Sequence, residues 1–393
     1  MISFEEAVKT VHKYAKPLSA VQTRIEDAVG RALLEDVYSG MDMPPFNKSA
    51  VDGYAVRAAD LAPGRELRCS GVVQAGDSFK GKVRAGECVK IMTGAPVPAG
   101  ADAVVMVEST CERNGMVKFN KNVKKGANIA LRGEDIKKGQ KVLSRGIVIK
   151  ISHIAVLAAV GRGLVKTGAL PEVSLINTGG EIVPPGTKLA GNRIYNSNGP
   201  MLSAMLKTDK VCATPGIVRD DARKMKAALS RALKKDIVLI SGGVSMGDYD
   251  LVPAVLKSLG VKEIFHKVRV RPGKPMFFGV KGRTLVFGIP GNPVANFMAY
   301  LAYVRPAIRK MAGRPDFAPK FKTGTCAVKF EPRTPRKALV LSKVSERADH
   351  SLTEVSNNGS ADILALAQAN GFTVVKEGGS LKRNEKAAFI SWR

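Results

Sequence analysis

The chain has 393 residues, with 62 Lys and Arg against 34 Asp and Glu and a formal net charge of +28. At about 150 residues per domain this length predicts two or three domains with separate cores, and 45% hydrophobic with 24% charged residues excludes both a disordered chain and a membrane-embedded one, since no window approaches ~18 uninterrupted apolar residues. The basic excess is spread in pairs such as Lys124-Lys125, Lys137-Lys138 and Lys234-Lys235, without a basic tail or interleaved aromatics, so a uniformly basic surface is expected and any DNA binding should be nonspecific and salt-sensitive.

The first element is a helix over residues 3–14. Ser3 and Glu6 form a capping box, and Phe4, Ala7, Val8 and Val11 make one apolar face. A second helix is expected around Arg24 to Leu34, followed by the proline-containing linker Asp42-Met43-Pro44-Pro45-Phe46-Asn47. Residues 43–130 then change texture. Short β-rich runs (Leu67 to Val73, Val83 to Met92, Ala103 to Glu108, Met116 to Phe119) alternate with glycine and proline turns, which predicts a β subdomain inserted into an N-terminal unit made of residues 1–42 and 131–168. Within the insert, Asp52-Gly53 reads as a turn dipeptide and Thr93-Gly94 as a strand end. The N-terminal unit resumes and includes a helix from Ser152 to Val160, stopped by Gly161.

From residue 169 to 314 strands alternate with helices, which predicts a doubly wound, mostly parallel α/β sheet. Strands are expected at Val173 to Ile176, Val211 to Val218, Ile237 to Ile240, Val261 to Val270, Met276 to Val280 and Thr284 to Ile289. Helices are expected at Pro200 to Leu206, Ala222 to Leu233, and from Leu251 to a stop at Gly260. Asn292 as N-cap with Pro293 at the first position starts the last helix, and Pro306 followed by Gly313-Arg314-Pro315 ends it. Residues 315–393 read as a small β domain, with Leu339 to Val344, Thr373 to Val375 and Ala387 to Ile390 as its clearest strands.

The stretch DIVLISGGVSMGDYD, Asp236 to Asp250, concentrates the chemistry. An apolar β-branched run ends in Ser241-Gly242-Gly243, whose exposed amides suit a phosphate or another oxyanion at the carboxyl end of a parallel strand. Asp248 and Asp250 would repel that anion unless a divalent cation sat between them; the alternative is that both merely cap the next helix. Other strand ends converge on the same rim: Asn177 to Glu181, Arg219-Asp220-Asp221, and the second glycine turn Gly288 to Asn292, with Arg271 to Lys274 adding cations. Each has a bland alternative, since Asp220 and Asp221 can cap the helix at Ala222 and Glu181 can face solvent. Convergence on one edge favours a site. Its glycine and acid loops hold no cysteine or histidine, so no covalent intermediate is inferred. The five cysteines (Cys69, Cys88, Cys111, Cys212, Cys326) are odd in number and lack any C-x-x-C pair, which argues against a disulfide framework and a zinc site. With no export signal in MISFEEAVKT, a cytoplasmic location is expected.

Ordered motifs then carry a resemblance: SAVDGYA (49–55), IMTGAPVPAGADAVVM (91–106), GEDIKKG (133–139), NTGGEIVPPG (177–186), GIVRDD (216–221), SGGVSMGDYD (241–250), VRPGKP (270–275) and GIPGNPVA (288–295). Nearly end to end the chain resembles the molybdopterin molybdenumtransferase family, the molybdenum insertases to which the E domain of gephyrin is similar. The resemblance implies an elongated N-terminal unit carrying an inserted β subdomain, a molybdopterin-binding α/β domain and a C-terminal β-barrel-like domain. It implies a homodimer with a site shared between subunits, and insertion of molybdenum from molybdate into adenylylated molybdopterin with Mg²⁺-dependent release of AMP. It also allows contact with the adenylylating enzyme of the same pathway.

On matching positions, Glu181, Asp220 or Asp221, and Asp250 would handle the metal and the adenylate phosphate, with Asp248 as a further metal ligand. Lys267, Arg271 and Lys274 would hold the pterin phosphate or molybdate, and Ser241, Gly242, Gly243 and Ser245 would form the cradle with Gly291 and Asn292 of the second turn. Asp52, Thr93 and Asp135 would come from the inserted subdomain, and Arg336 and Ser360 from the C-terminal domain. Three departures reduce negative charge or retain positive charge at the rim, which predicts weaker metal affinity. Gly180 stands where an acid is common, Asn196 opens a triplet that an acid often begins, and Arg271 replaces a common lysine. A non-catalytic dimeric scaffold of the gephyrin type is the alternative function; retention of Asp220, Asp221 and Asp250 argues against it.

Overall fold

The computed structural model describes residues 1–219, 221–244, 251–347 and 349–392. The chain divides into two compact units: Met1–Glu35, Gly146–Lys150 and Leu164–Arg393 form one, and Asp36–Arg145 with Ile151–Gly163 form the other.

The larger unit opens with the helix Phe4–Tyr14. Ser3 Oγ accepts the Glu6 N–H at 3.2 Å and a Glu6 carboxylate oxygen accepts the Ser3 N–H at 2.8 Å, completing the expected capping box. Phe4, Ala7 and Val11 are buried, and the Phe4 ring meets Tyr303 at 5.8 Å between centroids. The expected helix at Arg24 to Leu34 does not form. Residues Ala20–Arg24 are a strand paired antiparallel with Leu164–Gly168, a single 3-10 turn covers Ile25–Asp27, and Gly30 takes φ +83° and donates its N–H to Ile149 O at 2.8 Å. Pairing with a strand more than a hundred residues away, tied by Thr23 Oγ1 to Thr167 Oγ1 at 2.7 Å, overrides the local helical pattern.

The α/β domain has a six-stranded sheet in the spatial order Pro215–Val218, Val173–Thr178, Ile237–Ser241, Thr284–Ile289, Pro275–Lys281, Lys262–Lys267. The first four strands are parallel, and the Pro275–Lys281 strand is antiparallel to both neighbours. Strand Ile237–Ser241 is buried throughout, and its period of two divides its side chains between two cores. Ile237 and Leu239 pack with Leu202 and Leu206 of the helix Asn198–Thr208. Val238 and Ile240 pack with Met225 and Leu229 of the helix Ala222–Ala232 and with Val252 and Leu256 of the helix Leu251–Ser258.

The helix that starts at Pro293 runs past Pro306, contrary to expectation. Pro293–Ala299 leads into a π-helical stretch, Tyr300–Val304, and then Arg305–Met311. Pro306 sits in the first turn of that last segment, where the changed hydrogen-bond register makes no demand on a proline N–H. Gly313, at φ +71°, marks its end.

Five strands of the C-terminal domain close into a ring. Lys337–Val344 pairs with Ser351–Glu354, which pairs with Lys322–Cys326, which pairs with Lys386–Ser391, which pairs with Gly371–Val375, which returns to Lys337–Val344. Cys326, Phe330, Val340, Leu352, Val375 and Phe389 fill it. Val270–Arg271 adds a short parallel strand to Lys337 and Ala338, so the arginine-proline-glycine-lysine loop of the α/β domain is stitched to the barrel. A helix at Ile363–Gln368, capped by Asp362 on the Ala365 N–H at 2.9 Å, is an addition that the strand reading does not include.

The smaller unit contains a six-stranded sheet ordered Ala103–Met106, Gly53–Val56, Glu87–Ile91, Glu66–Val73, Met116–Phe119, Thr110–Arg113. Tyr54, Leu67, Val105 and Phe119 are in its core. Gly53 has no room for a side chain, because a Cβ there would lie 2.0 Å from Val105 O. The helix Ile151–Ala159 belongs to this unit and stops at Gly161, φ +76°. Among the described residues no helix is long and apolar enough to cross a membrane.

Candidate functional site

The first parallel strand of the α/β domain, Val173–Thr178, has the second on one side and the third, Ile237–Ser241, on the other. Chain connections therefore diverge between the ends of Thr178 and Ser241, where a crevice opens in sheets of this kind. A cavity of ≈ 960 Å³ occupies that position, lined by Asn177, Thr178, Glu181, Asn198 and the two glycine turns at Ser241–Val244 and Pro290–Pro293. Gly242 and Gly243 have φ of +90° and +62°. A Cβ on the first would fall 2.8 Å from Thr178 O and on the second 2.6 Å from Thr178 Oγ1, so only glycine lets this turn lie against the neighbouring strand end. The Gly242 N–H donates to Ile289 O at 3.1 Å; among the described residues none accepts the Gly243 N–H.

Six of the expected site residues line this cavity: Glu181, Ser241, Gly242, Gly243, Gly291 and Asn292. The Glu181 carboxylate folds back over Gly179, where a Cβ would meet its oxygens at 2.6 and 2.7 Å. Asn292 occupies the N-cap position of the Pro293 helix but makes no side-chain cap. Its Nδ2 donates instead to Ser360 Oγ at 2.9 Å, joining the glycine turn to the C-terminal domain.

On the other side of that contact lies a second cavity of ≈ 850 Å³, lined by Arg271, Lys274, Arg333, Arg336 and Ser360 among others. Arg271 Nη1 donates to Pro332 O at 3.3 Å and Arg333 O at 3.2 Å, and Arg336 Nη1 donates to Val270 O at 3.1 Å. These carbonyls aim two guanidinium groups into one space. Burial, and then the charge of Arg271, lowers the pKa of Arg336 from its ordinary value, although an arginine stays charged throughout the physiological range. Burial raises that of Glu354, which with Glu331 makes two acids against five cations (Arg271, Lys274, Lys329, Arg333 and Arg336) on the same lining. The balance suits an oxyanion.

The remaining expected residues lie elsewhere. Lys267 ends the strand Lys262–Lys267 opposite Pro275 and lines neither cavity. The Asp221 carboxylate caps the helix Ala222–Ala232 by accepting the Lys224 N–H at 2.9 Å. Asp52 and Thr93 meet in the smaller unit, where Asp52 Oδ1 accepts the Thr93 N–H at 2.6 Å and the Thr93 hydroxyl at 2.8 Å. Those two bonds hold the Asp52 carboxyl below the usual range. Asp135 is in the same unit, its N–H on Met43 O at 3.0 Å. Asp220, Ser245, Asp248 and Asp250 fall outside the described residues. Among those described, no three His, Cys, Asp or Glu side chains cluster as a metal site.

Sequence reasoning missed the polar groups Asn177, Thr178 and Asn198 on the first cavity's lining and Asn296, which bonds to Ser241 behind it. Among the described residues, Asn177 Oδ1, Thr178 Oγ1, Asn198 Oδ1 and Asn296 Oδ1 are buried without a partner, and Asn296 is fully buried. The available signal was an asparagine inside the otherwise apolar helix sequence PVANFMA, because a buried amide in such a helix must serve something.

Comparison with known proteins matches residues 2–161 to a family model described as the MoeA N-terminal region, domains I and II, and residues 176–310 to a probable molybdopterin binding domain. Molybdopterin molybdenumtransferase from Staphylococcus epidermidis is 33% identical over 385 residues, covering 96% of this chain and 92% of the relative. That from Staphylococcus aureus is 34% identical over 387 residues, with the same coverage. Among solved structures, a molybdopterin biosynthesis MoeA protein from Pyrococcus horikoshii superposes with a TM-score of 0.82 at 30% identity, covering 100% of this chain and 99% of the other.

Proposed function

From the premise that the chain belongs to the molybdopterin molybdenumtransferase family, we propose that it takes molybdenum from molybdate into adenylylated molybdopterin and releases AMP. Its place in molybdenum cofactor biosynthesis and its class as a transferase follow from that membership. One observation carries the finer reading: two cavities flank the Asn292–Ser360 contact, one floored by glycine turns and the other lined with Arg271, Lys274 and Arg336. Two multiply charged substrates need neighbouring but different anion sites, one shaped for a phosphate bridge and one for a small oxyanion.

In this reading Ser241, Gly242, Gly243 and Ser245 cradle the adenylate phosphate, with Gly291 and Asn292 closing the second turn. Arg271 and Lys274 hold molybdate or the pterin phosphate, with Arg336 and Ser360 on the same lining; Lys267, which lines neither cavity, is given no direct contact. Of the paired residues in the smaller unit, Asp52 is read as catalytic and Thr93 as cofactor-binding. Mg²⁺ suits the donors at the first cavity, which are hard oxygens: the Glu181 carboxylate and the oxygens of Asn177 and Asn198, which have no partner among the described residues. Glu181 would hold it with Asp248, Asp250 and either Asp220 or Asp221; since Asp221 already caps a helix, Asp220 is the better candidate of that pair. When bound, the ion neutralises charge that builds on the phosphoanhydride as AMP departs. With molybdate supplied, AMP release from adenylylated molybdopterin should stop when a chelator removes Mg²⁺ and resume on its return. Equal release in the presence of the chelator would remove the metal from the reading.

The working form is proposed to be a homodimer whose sites draw on both copies, as in the family the chain resembles. Sedimentation at micromolar concentration should give a dimer. A monomer with full activity would contradict this. Contact with the adenylylating enzyme would spare the labile adenylate from water, and a cytoplasmic location completes the reading.

A further inference from the structure

Ser241 ends its strand at the floor of the first cavity and is 3% exposed. Its Oγ lies 2.8 Å from Asn296 Nδ2 and 3.2 Å from Asn198 Nδ2. Each amide is held in one orientation by a second bond: Asn296 Nδ2 also donates to Pro290 O at 3.0 Å and Asn198 Nδ2 to Gly291 O at 2.6 Å. Turning either amide over would set its oxygen against a main-chain carbonyl oxygen. Both side chains therefore donate to Ser241, and together they fill the two acceptor sites of its hydroxyl. The hydroxyl proton remains, and no described residue accepts it.

We propose that Asn198 and Asn296 are positioning residues that compel the Ser241 hydroxyl to donate into the cavity, so that this point of the floor takes an acceptor-only group, an ionised phosphate oxygen, and rejects a ligand donor. The assignment of that oxygen to the substrate's phosphate rests on the proposed function. A second feature of the same amides agrees with a role beyond packing. Among the described residues Asn198 Oδ1 and Asn296 Oδ1 are buried without partners, a cost that a purely structural pair would have been free to avoid.

The test is calorimetry on the full chain with AMP and with adenosine, for the unmodified protein, Ser241→Ala, Asn198→Ala and the double variant. Asn198 is chosen because it is only half-buried, so its loss should leave the fold intact. Ser241→Ala should weaken AMP about 10- to 100-fold, the effect of losing a hydrogen bond to a charged group, and leave adenosine unchanged. Asn198→Ala should also weaken AMP, yet cost nothing further in the Ser241→Ala background. Asn198→Asp, which offers the hydroxyl an acceptor and draws its proton away from the ligand, should weaken AMP at least as much as Asn198→Ala. An equal penalty for Asn198→Ala in both backgrounds would overturn the inference, since Asn198 would then merely hold the Gly291 turn. So would an unmodified chain that binds AMP no better than adenosine. The proposed function is tested separately, by AMP release.

Discussion

Gly242→Ala is expected to slow AMP release on the order of 100-fold in a chain that remains folded. Gly242 has φ +90°, a conformation that L side chains rarely adopt, and its new Cβ would stand 2.8 Å from Thr178 O and 3.1 Å from Thr178 Oγ1. The closest atom is main chain, so no rotamer change relieves the contact and the end of one strand must move against the other. Gly291 packs beside Gly242, its own Cβ position 3.7 Å from the Gly242 Cα, so a shift reaches both turns that floor the cavity. A displacement of about 1 Å at groups that orient a substrate is enough for the stated loss. Gly216→Ala is the control: Gly216 lies on the neighbouring edge strand, where a Cβ would meet Leu175 O at an ordinary 3.8 Å, and it should keep nearly full activity. AMP release by Gly242→Ala within twofold of the unmodified rate would take the glycine turn out of the reaction.

Asp209→Ala should give the largest loss of stability, about 2–4 kcal/mol, seen as a fall in Tm of roughly 5–10 °C for a domain of this size. The Asp209 side chain is 1% exposed and lies 2.8 Å from Arg305 Nε and 3.1 Å from Arg309 Nε. It also accepts the Tyr300 hydroxyl at 2.8 Å. Removing the carboxylate leaves two guanidinium groups facing each other; both are partly exposed, which lets water recover some of the cost. Asp209 is the C-cap of the helix that carries Asn198 in its first turn, so this ion-paired group anchors the far end of the element that reaches the cavity. A variant melting within 1 °C of the unmodified chain would mean that the group carries no net stability.

Local pattern made some of these elements legible and tertiary context hid others. The Ile237–Ser241 strand could be read because burial on both faces demands an unbroken apolar run, and the turns after it because glycine is needed there. The strand Gly53–Val56 escaped notice, since its first residue belongs to the turn dipeptide Asp52-Gly53 and only its place between two neighbours makes it a strand. Arg24 to Leu34 misled because helical spacing is local, whereas the pairing that defeats it comes from Leu164–Gly168. At the site, Gly242, Gly243 and Glu181 were visible in sequence. The roles of Asn198 and Asn296 were not, because the bonds that define them run to Ser241, Pro290 and Gly291. For Asp221 the sequence left a metal ligand and a helix cap both open, and the structure shows the cap.

The most direct measurement of the central claim is single-turnover AMP release from adenylylated molybdopterin with Mg²⁺ present, with and without molybdate, for the unmodified chain and for Arg271→Met. Arg271 lines the second cavity rather than the first, so it separates use of the oxyanion from retention of the adenylate. Rapid release is expected only when molybdate is present, and for Arg271→Met a shift of the half-maximal molybdate concentration to higher values with little change in adenylate binding. Release at the same rate without molybdate, or an Arg271→Met variant with an unaltered molybdate dependence, would contradict that claim.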